Sequence, residues 1–230
     1  MSEIIYGTNL IVSAILHRAP IHDLRIWNNK TVRALADEFR IEYRLASKEE
    51  LDAITKHHQG AVAKIREFKT HSLEEIISEE KNLILVLDGI EDPHNLGAIL
   101  RTADAAQVAG IVIPKNRSVR LSGTVARVST GAIFSVKCAV VPNLAGAIKK
   151  LKERGYWVYG AEATAESRPY DEAEYDRKSV LVLGSEGRGL SRFVRESCDF
   201  LVKIPLFGSV NSLNVSVAAG ILIYHIIKSQ

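Results

Sequence analysis

From Asn82 onward, short blocks of consecutive apolar residues alternate with amphipathic or small-residue stretches. Leu83-Ile-Leu-Val-Leu87 is apolar at every position, the pattern of a strand buried on both faces. Further strands are expected near Gly110 to Ile113, Phe134 to Val141, Tyr156 to Ala161, Val180 to Leu183 and Phe200 to Ile204, with helical stretches between most of them. This alternation predicts an α/β fold with a mostly parallel sheet. Upstream, Thr8 to Leu16, Thr31 to Phe39 and Ser47 to Ile54 read as helices, and Leu24 to Trp27 and Glu42 to Leu45 as extended segments. Ser47 with Glu50 three residues on forms a capping box. The expected organisation is a small α/β module over residues 1–66, a linker over 67–82, and a larger domain over 83–230. The acidic, turn-poor stretch Ser72 to Lys81 serves as the linker or as a connecting helix. Leu213 to Ile227 is the most apolar segment, yet it contains Asn214, Ser216 and His225 and falls short of the roughly 18 to 20 residues that a membrane span requires. It is expected to be a buried or interface helix.

The composition of the 230-residue chain, 47% apolar and 25% charged, is that of a globular protein, and the net charge of +3 is too small to decide a partner. The distribution of charge is more informative. No acidic residue falls between Asp104 and Glu153, whereas Lys115, Arg117, Arg120, Arg127, Lys137, Lys149, Lys150 and Lys152 do. That surface would welcome phosphate, unless the fold brings acids to it and leaves a balanced, solvated face. Cys138 and Cys198 lack metal-ligand or redox spacing, so both are expected to be free thiols and no metal is expected. The opening residues carry no basic start followed by an unbroken apolar run, which predicts no secretory signal and a cytoplasmic location.

Three strand-to-helix junctions carry candidate chemistry. In the first, Asp88-Gly-Ile-Glu-Asp-Pro-His-Asn-Leu-Gly-Ala-Ile-Leu-Arg101, a buried strand turns through Pro93 into a small-residue helix, with Asn95 suited to its N-cap. Asn95 and Arg101 are expected on similar though not identical helix faces. An arginine in such a helix needs an anion, and Asp104 is a local candidate. The second, Leu181-Val-Leu-Gly-Ser-Glu-Gly-Arg-Gly-Leu-Ser191, has glycines spaced G-x-x-G-x-G, which is not the dinucleotide fingerprint. By itself it is a tight turn. The third runs from Ile204 through Pro205 and Leu206 to Asn211-Ser-Leu-Asn214 and into an apolar helix. Helix capping explains one of Asn211, Ser212 and Asn214 but not all three.

With these motifs in this order, residues 83 to 230 resemble the SpoU family of RNA 2'-O-methyltransferases. The resemblance implies a SPOUT domain, an α/β sheet whose C-terminal segment threads a loop to form a trefoil knot, with S-adenosylmethionine as cofactor and a homodimer built through the C-terminal helix. Ile5-Tyr-Gly7 followed by Val12 and Leu16, then His58-Gln-Gly60, is similar to the RlmB branch, in which a small L30e-like module binds RNA. Carried over motif by motif, the resemblance implies catalytic roles for Arg101, Asn95, Glu186, Ser212 and Asn214. It implies cofactor contacts at Gly184, Ile204 and Leu213, with Leu206 as a pocket wall. The third motif departs from RlmB relatives at Asn211, where they often carry serine.

Family members are held to activate the ribose hydroxyl through the motif-one arginine. A guanidinium keeps its proton at ordinary pH, so Arg101 is expected instead to clamp the adjacent phosphate and stabilise the developing oxyanion. The RlmB resemblance implies a guanosine of 23S ribosomal RNA as target. A tRNA ribose methyltransferase and a thiostrepton-resistance type rRNA methyltransferase share the motifs, and a catalytically silent RNA-binding or ribosome-assembly protein could keep the fold.

Overall fold

The computed structural model describes residues 2–77 and 82–230. Contacts divide the chain into two compact units, one of residues up to Lys69 together with Leu121–Ser135, the other of Thr70–Arg120 with Val136–Gln230. The first therefore takes a piece of chain from the middle of the contiguous segment 83–230.

In the first unit β1 (Glu3–Tyr6), β2 (Ile21–Ile26), β3 (Tyr43–Leu45) and β4 (Ala61–Ile65) form a sheet of order β1-β4-β2-β3. Strand β4 runs antiparallel to β1 and β2, while β2 and β3 are parallel. Helices α1 (Thr8–Leu16), α2 (Lys30–Glu38) and α3 (Lys48–Asp52) accompany the sheet, and α3 carries the expected Ser47–Glu50 capping box. The sequence pattern did not reveal β1 or β4.

The segment borrowed from mid-chain is held by specific contacts within this unit. The backbone N–H of Gly123, at the start of the helix Gly123–Val128, donates to Glu3 Oε2 at 3.2 Å. The Arg127 guanidinium lies over the Tyr6 ring, and Ser13 Oγ donates to the Gly131 carbonyl at 3.0 Å. Gly131 has φ +93°, and a Cβ there would meet the Ser13 side chain at 2.5 Å, so glycine is needed for this approach.

The second unit opens with α4 (Leu73–Ile76), capped reciprocally by Ser72 and Glu75; the rest of the acidic stretch, residues 78–81, lies outside the described residues. Seven strands follow: β5 (Leu83–Asp88), β6 (Gly110–Pro114), β7 (Cys138–Val141), β8 (Trp157–Ala161), β9 (Arg168–Pro169), β10 (Ser179–Gly184) and β11 (Phe200–Lys203). Their order is β7-β6-β5-β10-β8-β11-β9, and every pairing is parallel. The expected strand from Phe134 begins only at Cys138, because Ala132–Phe134 turns as a short 3-10 helix.

Helix α5 (Pro93–Ala105) follows β5, the Gly123–Val128 helix is α6, α7 (Leu144–Glu153) follows β7, α8 (Arg192–Glu196) follows β10, and α9 (Val215–Ser229) closes the chain. Ile84, Val86, Val180 and Val182 pack with Leu144, Ile148 and Leu151 of α7 and Val194 of α8. Side chains alternate across a strand, so Leu85, Leu87 and Leu181 turn to the other face, where α5 and α9 pack on each other. All of these strand residues are fully buried.

Candidate active site

The three motifs meet at one carboxylate. Asp92, not Asn95, caps α5: its side chain accepts from the His94 N–H at 2.9 Å. Pro93 occupies the first helical position, where its fixed φ and missing N–H are harmless, and this moves the cap one residue upstream of it. Asn95 is thereby free to turn inward, where it is 9% exposed. Its Nδ2 donates to Glu186 Oε1 at 3.2 Å. Asn214 caps α9, accepting from the Ser216 N–H at 2.9 Å through Oδ1. Its Nδ2 donates to both Asn95 Oδ1 at 2.9 Å and Glu186 Oε1 at 2.6 Å. The Val215 N–H completes the set, donating to the same Glu186 oxygen at 3.3 Å. A carboxylate at a helix N-terminus is also favoured by the unpaired N–H groups of the first turn.

Glu186 is presented by the glycine turn after β10. The Gly189 N–H donates to the Ser185 carbonyl at 3.0 Å and closes the turn, with Gly187 at φ +79° and Gly189 at +65°. A Cβ on Gly184 would overlap the backbone of Gly189 and Leu190, so the turn folds back directly over the strand end.

Beside this junction lies a cavity of about 360 Å³ whose lining includes Gly184, Glu186, Ile204, Leu206, Ser212 and Leu213. All four expected cofactor residues line it. Leu183, Ala218 and Leu222 add apolar wall, Lys203 and Glu162 polar groups. Ser212 faces the cavity from the 204–214 loop without a hydrogen bond among the described residues, and Asn211 does likewise.

Arg101 stands apart. It is exposed on α5 and its guanidinium forms no hydrogen bond or ion pair among the described residues, so the local Asp104 bridge is not made. Asn95 and Arg101, expected on similar though not identical faces, lie about 120° apart around the helix at roughly 100° per residue, with Asn95 buried and Arg101 exposed.

Sequence reasoning missed Glu162, which directly follows β8. Its Oε1 accepts from the Leu190 N–H at 3.4 Å and its Oε2 lies 3.2 Å from Arg195 Nε, so it braces the glycine turn from outside. The available signal was its position at the carboxyl end of a parallel strand, where α/β sheets place functional groups. The basic stretch 105–152 is partly engaged: Lys152 pairs with Asp199 and Lys137 Nζ donates to the Glu75 carbonyl at 2.6 Å. Burial pushes both the Cys138 and Cys198 thiols up to about 12, which leaves neither as a nucleophile at neutral pH.

A parallel α/β domain with an apolar cavity behind a three-motif polar junction is the architecture of a SPOUT-type methyltransferase, and the comparisons agree. Residues 82–224 match the model of the SpoU rRNA Methylase family, and residues 4–71 match that of the RNA 2'-O ribose methyltransferase substrate-binding domain. The chain belongs to the SpoU rRNA methylase family. It is 41% identical to a Staphylococcus haemolyticus protein named as a TrmH-family tRNA/rRNA methyltransferase, over 99% of this chain and 96% of that one. Among solved structures, the SpoU methyltransferase AviRb from Streptomyces viridochromogenes superposes with a TM-score of 0.86 at 25% identity, covering 99% of this chain and 89% of that one. An AdoMet-bound rRNA methyltransferase from Sinorhizobium meliloti gives 0.85 at 26% identity, with 99% and 87% covered.

Proposed function

We propose that this RNA methyltransferase transfers a methyl group from S-adenosylmethionine to a ribose 2'-hydroxyl in structured RNA, with a guanosine of 23S ribosomal RNA as its target. The observation that carries the reading is the convergence of Asn95, Asn214 and the Val215 N–H on Glu186 at the wall of the cavity. The cavity fits the cofactor. Leu183, Ile204, Leu206 and Leu213 offer apolar wall to adenine, and the carboxylates of Glu162 and Glu186 suit a molecule carrying a sulfonium and an ammonium.

When bound, S-adenosylmethionine supplies an electrophilic methyl on a positively charged sulfur. This chain's part is to hold and to align, and positioning alone accounts for much of the acceleration of a displacement. Gly184, Ile204, Leu206 and Leu213 form the cofactor contacts and Ser212 faces the same space. Asn95, Glu186 and Asn214 lock the three junctions in register. Arg101, exposed on α5, clamps the phosphate next to the target ribose and stabilises charge developing on its oxygen. Residues 1–66 act as the L30e-like module that binds RNA, residues 67–82 as the linker and 83–230 as the catalytic domain, which lends Leu121–Ser135 to the first unit and whose C-terminal segment threads a loop as a trefoil knot. Two copies associate through α9, and the enzyme works in the cytoplasm on ribosomal RNA.

The test is methylation of in vitro transcribed 23S rRNA and tRNA with labelled cofactor, followed by mapping of the modified nucleotide. Label in a single 2'-O-methylguanosine of 23S rRNA is the expected result. Label confined to tRNA would move the target, and no label in either would overturn the reading.

A further inference from the structure

A second, larger cavity of about 790 Å³ opens next to the cofactor cavity, with Ser185, Glu186, Arg188, Gly189 and Val215 common to both linings. It lies outside the carboxyl ends of β5, β6, β7 and β10. Strands β5 and β10 are neighbours, but the chain leaves β5 towards α5 on one face of the sheet and β10 towards α8 on the other. That divergence makes the crevice a topological switch point, the place where open parallel sheets bind ligands. The volume falls within the roughly 300–1,000 Å³ of ligand pockets. Asn95 and Glu186 both line it, so whatever fills this cavity lies against the Asn95–Glu186–Asn214 junction.

The polar lining is rich in acceptors. Asp88 Oδ2 already accepts from the Ser191 N–H at 2.7 Å, Asp92 Oδ1 caps α5, and Asn143 Oδ1 caps α7. Glu91, in the turn between β5 and α5, is exposed in the cavity wall and forms no hydrogen bond or ion pair among the described residues. Its two oxygens are free to accept. Among the four RNA bases, only guanine places two adjacent N–H donors, N1–H and N2–H, on its Watson–Crick edge. Adenine and cytosine pair a donor with an acceptor there, and uracil sets one donor between two acceptors. Exposed Arg117 and Arg188 also line the cavity and supply positive charge for phosphate.

We propose that the switch-point cavity takes the base of the target nucleotide, splayed out of its stack, and that Glu91 selects guanine by accepting from N1–H and N2–H. Enzymes that recognise an unstacked RNA base read it on this edge. The proposal rests on the reading of the protein as a guanosine 2'-O-methyltransferase, and gives that specificity a residue. Glu91 is a specificity residue here and takes no part in methyl transfer itself.

The test begins with mapping the nucleotide that the wild-type protein modifies in 23S rRNA and tRNA transcripts. Short RNAs carrying guanosine or adenosine at that position are then compared with wild type, Glu91→Gln and Ala145→Phe, with S-adenosylmethionine binding measured by calorimetry. A glutamine amide can donate to adenine N1 and accept from N6–H. Glu91→Gln is therefore expected to lower the guanosine-over-adenosine ratio in kcat/KM about tenfold or more, with cofactor Kd within about twofold of wild type. Ala145 lines the cavity, and Ala145→Phe is expected to abolish methyl transfer while cofactor binding persists. An unchanged ratio in Glu91→Gln, full activity in Ala145→Phe, or wild-type modification of a base other than guanine would each overturn the proposal and leave RNA methylation standing. Absence of transfer by the wild-type protein to any of the RNAs would overturn the underlying reading as well.

Discussion

Glu186 Oε1 is the acceptor for two asparagine amides and one backbone N–H, drawn from sequence positions up to 91 residues away. Arg101 lies outside that set, and the separation makes it a clean probe of chemistry. The burial of α5 is carried by Leu96, Ile99, Leu100 and Ala103, none of which touches solvent appreciably. Arg101→Ala should therefore fold and bind S-adenosylmethionine as the wild type does, yet lose on the order of a hundredfold or more in rate. Calorimetry beside single-turnover methyl transfer checks both halves, and full activity of the variant would remove Arg101 from the chemistry. Asn95 and Glu186 stood out as candidates in the sequence because each follows a buried strand within its motif, and Asn214 because it stands where the apolar helix begins. Their bonding was not legible there. Asn95 reads as an N-cap until Pro93 is given the first helical position, and Glu162 belongs to no motif at all.

At the scale of elements, legibility followed length and burial. The buried strands β5, β6, β8 and β10 announce themselves as apolar runs between turns, and α9 as a long apolar segment. Strand β4 escaped because Ala61-Val-Ala-Lys-Ile65 is a short apolar run directly after a turn at Gly60, without the alternation that identifies a strand. Helix α6 escaped for a different reason: Gly123-Thr-Val-Ala-Arg-Val128 is too short to show a period, and its partner Glu3 is 120 residues away. The glycine turn after β10 was legible as a turn, but its tightness was not. A methyl group on Gly184 would lie against backbone of Gly189 and Leu190, which no rotamer change can relieve. Gly184→Ala is expected to cost about 1–3 kcal/mol of stability and to weaken cofactor binding, because the turn both carries Glu186 and floors the cavity. Gly208→Ala, with nothing within 4 Å of the added carbon, is the control that should match wild type in thermal melting and in calorimetric titration.

For the whole molecule, helix α9 faces two ways. Val215, Ala219, Leu222, Ile223 and Ile226 are buried against this chain, while Val217, Tyr224 and Ile227 stay exposed, Tyr224 at 54%. Positions 217, 224 and 227 are spaced by seven and three, so they form one stripe along the helix. Among the described residues no helix is long and apolar enough to cross a membrane, and α9 is packed on α5, the helix that carries exposed Arg101. An exposed apolar stripe of this kind suits the surface by which a second copy docks. Light scattering at micromolar concentration is expected to give twice the chain mass. Tyr224→Glu places a charge in the middle of the stripe without touching the buried face, so it should give a monomer that retains its melting profile and loses most methyl transfer. A wild-type monomer, or a monomeric variant with full activity, would show instead that one copy holds a complete site.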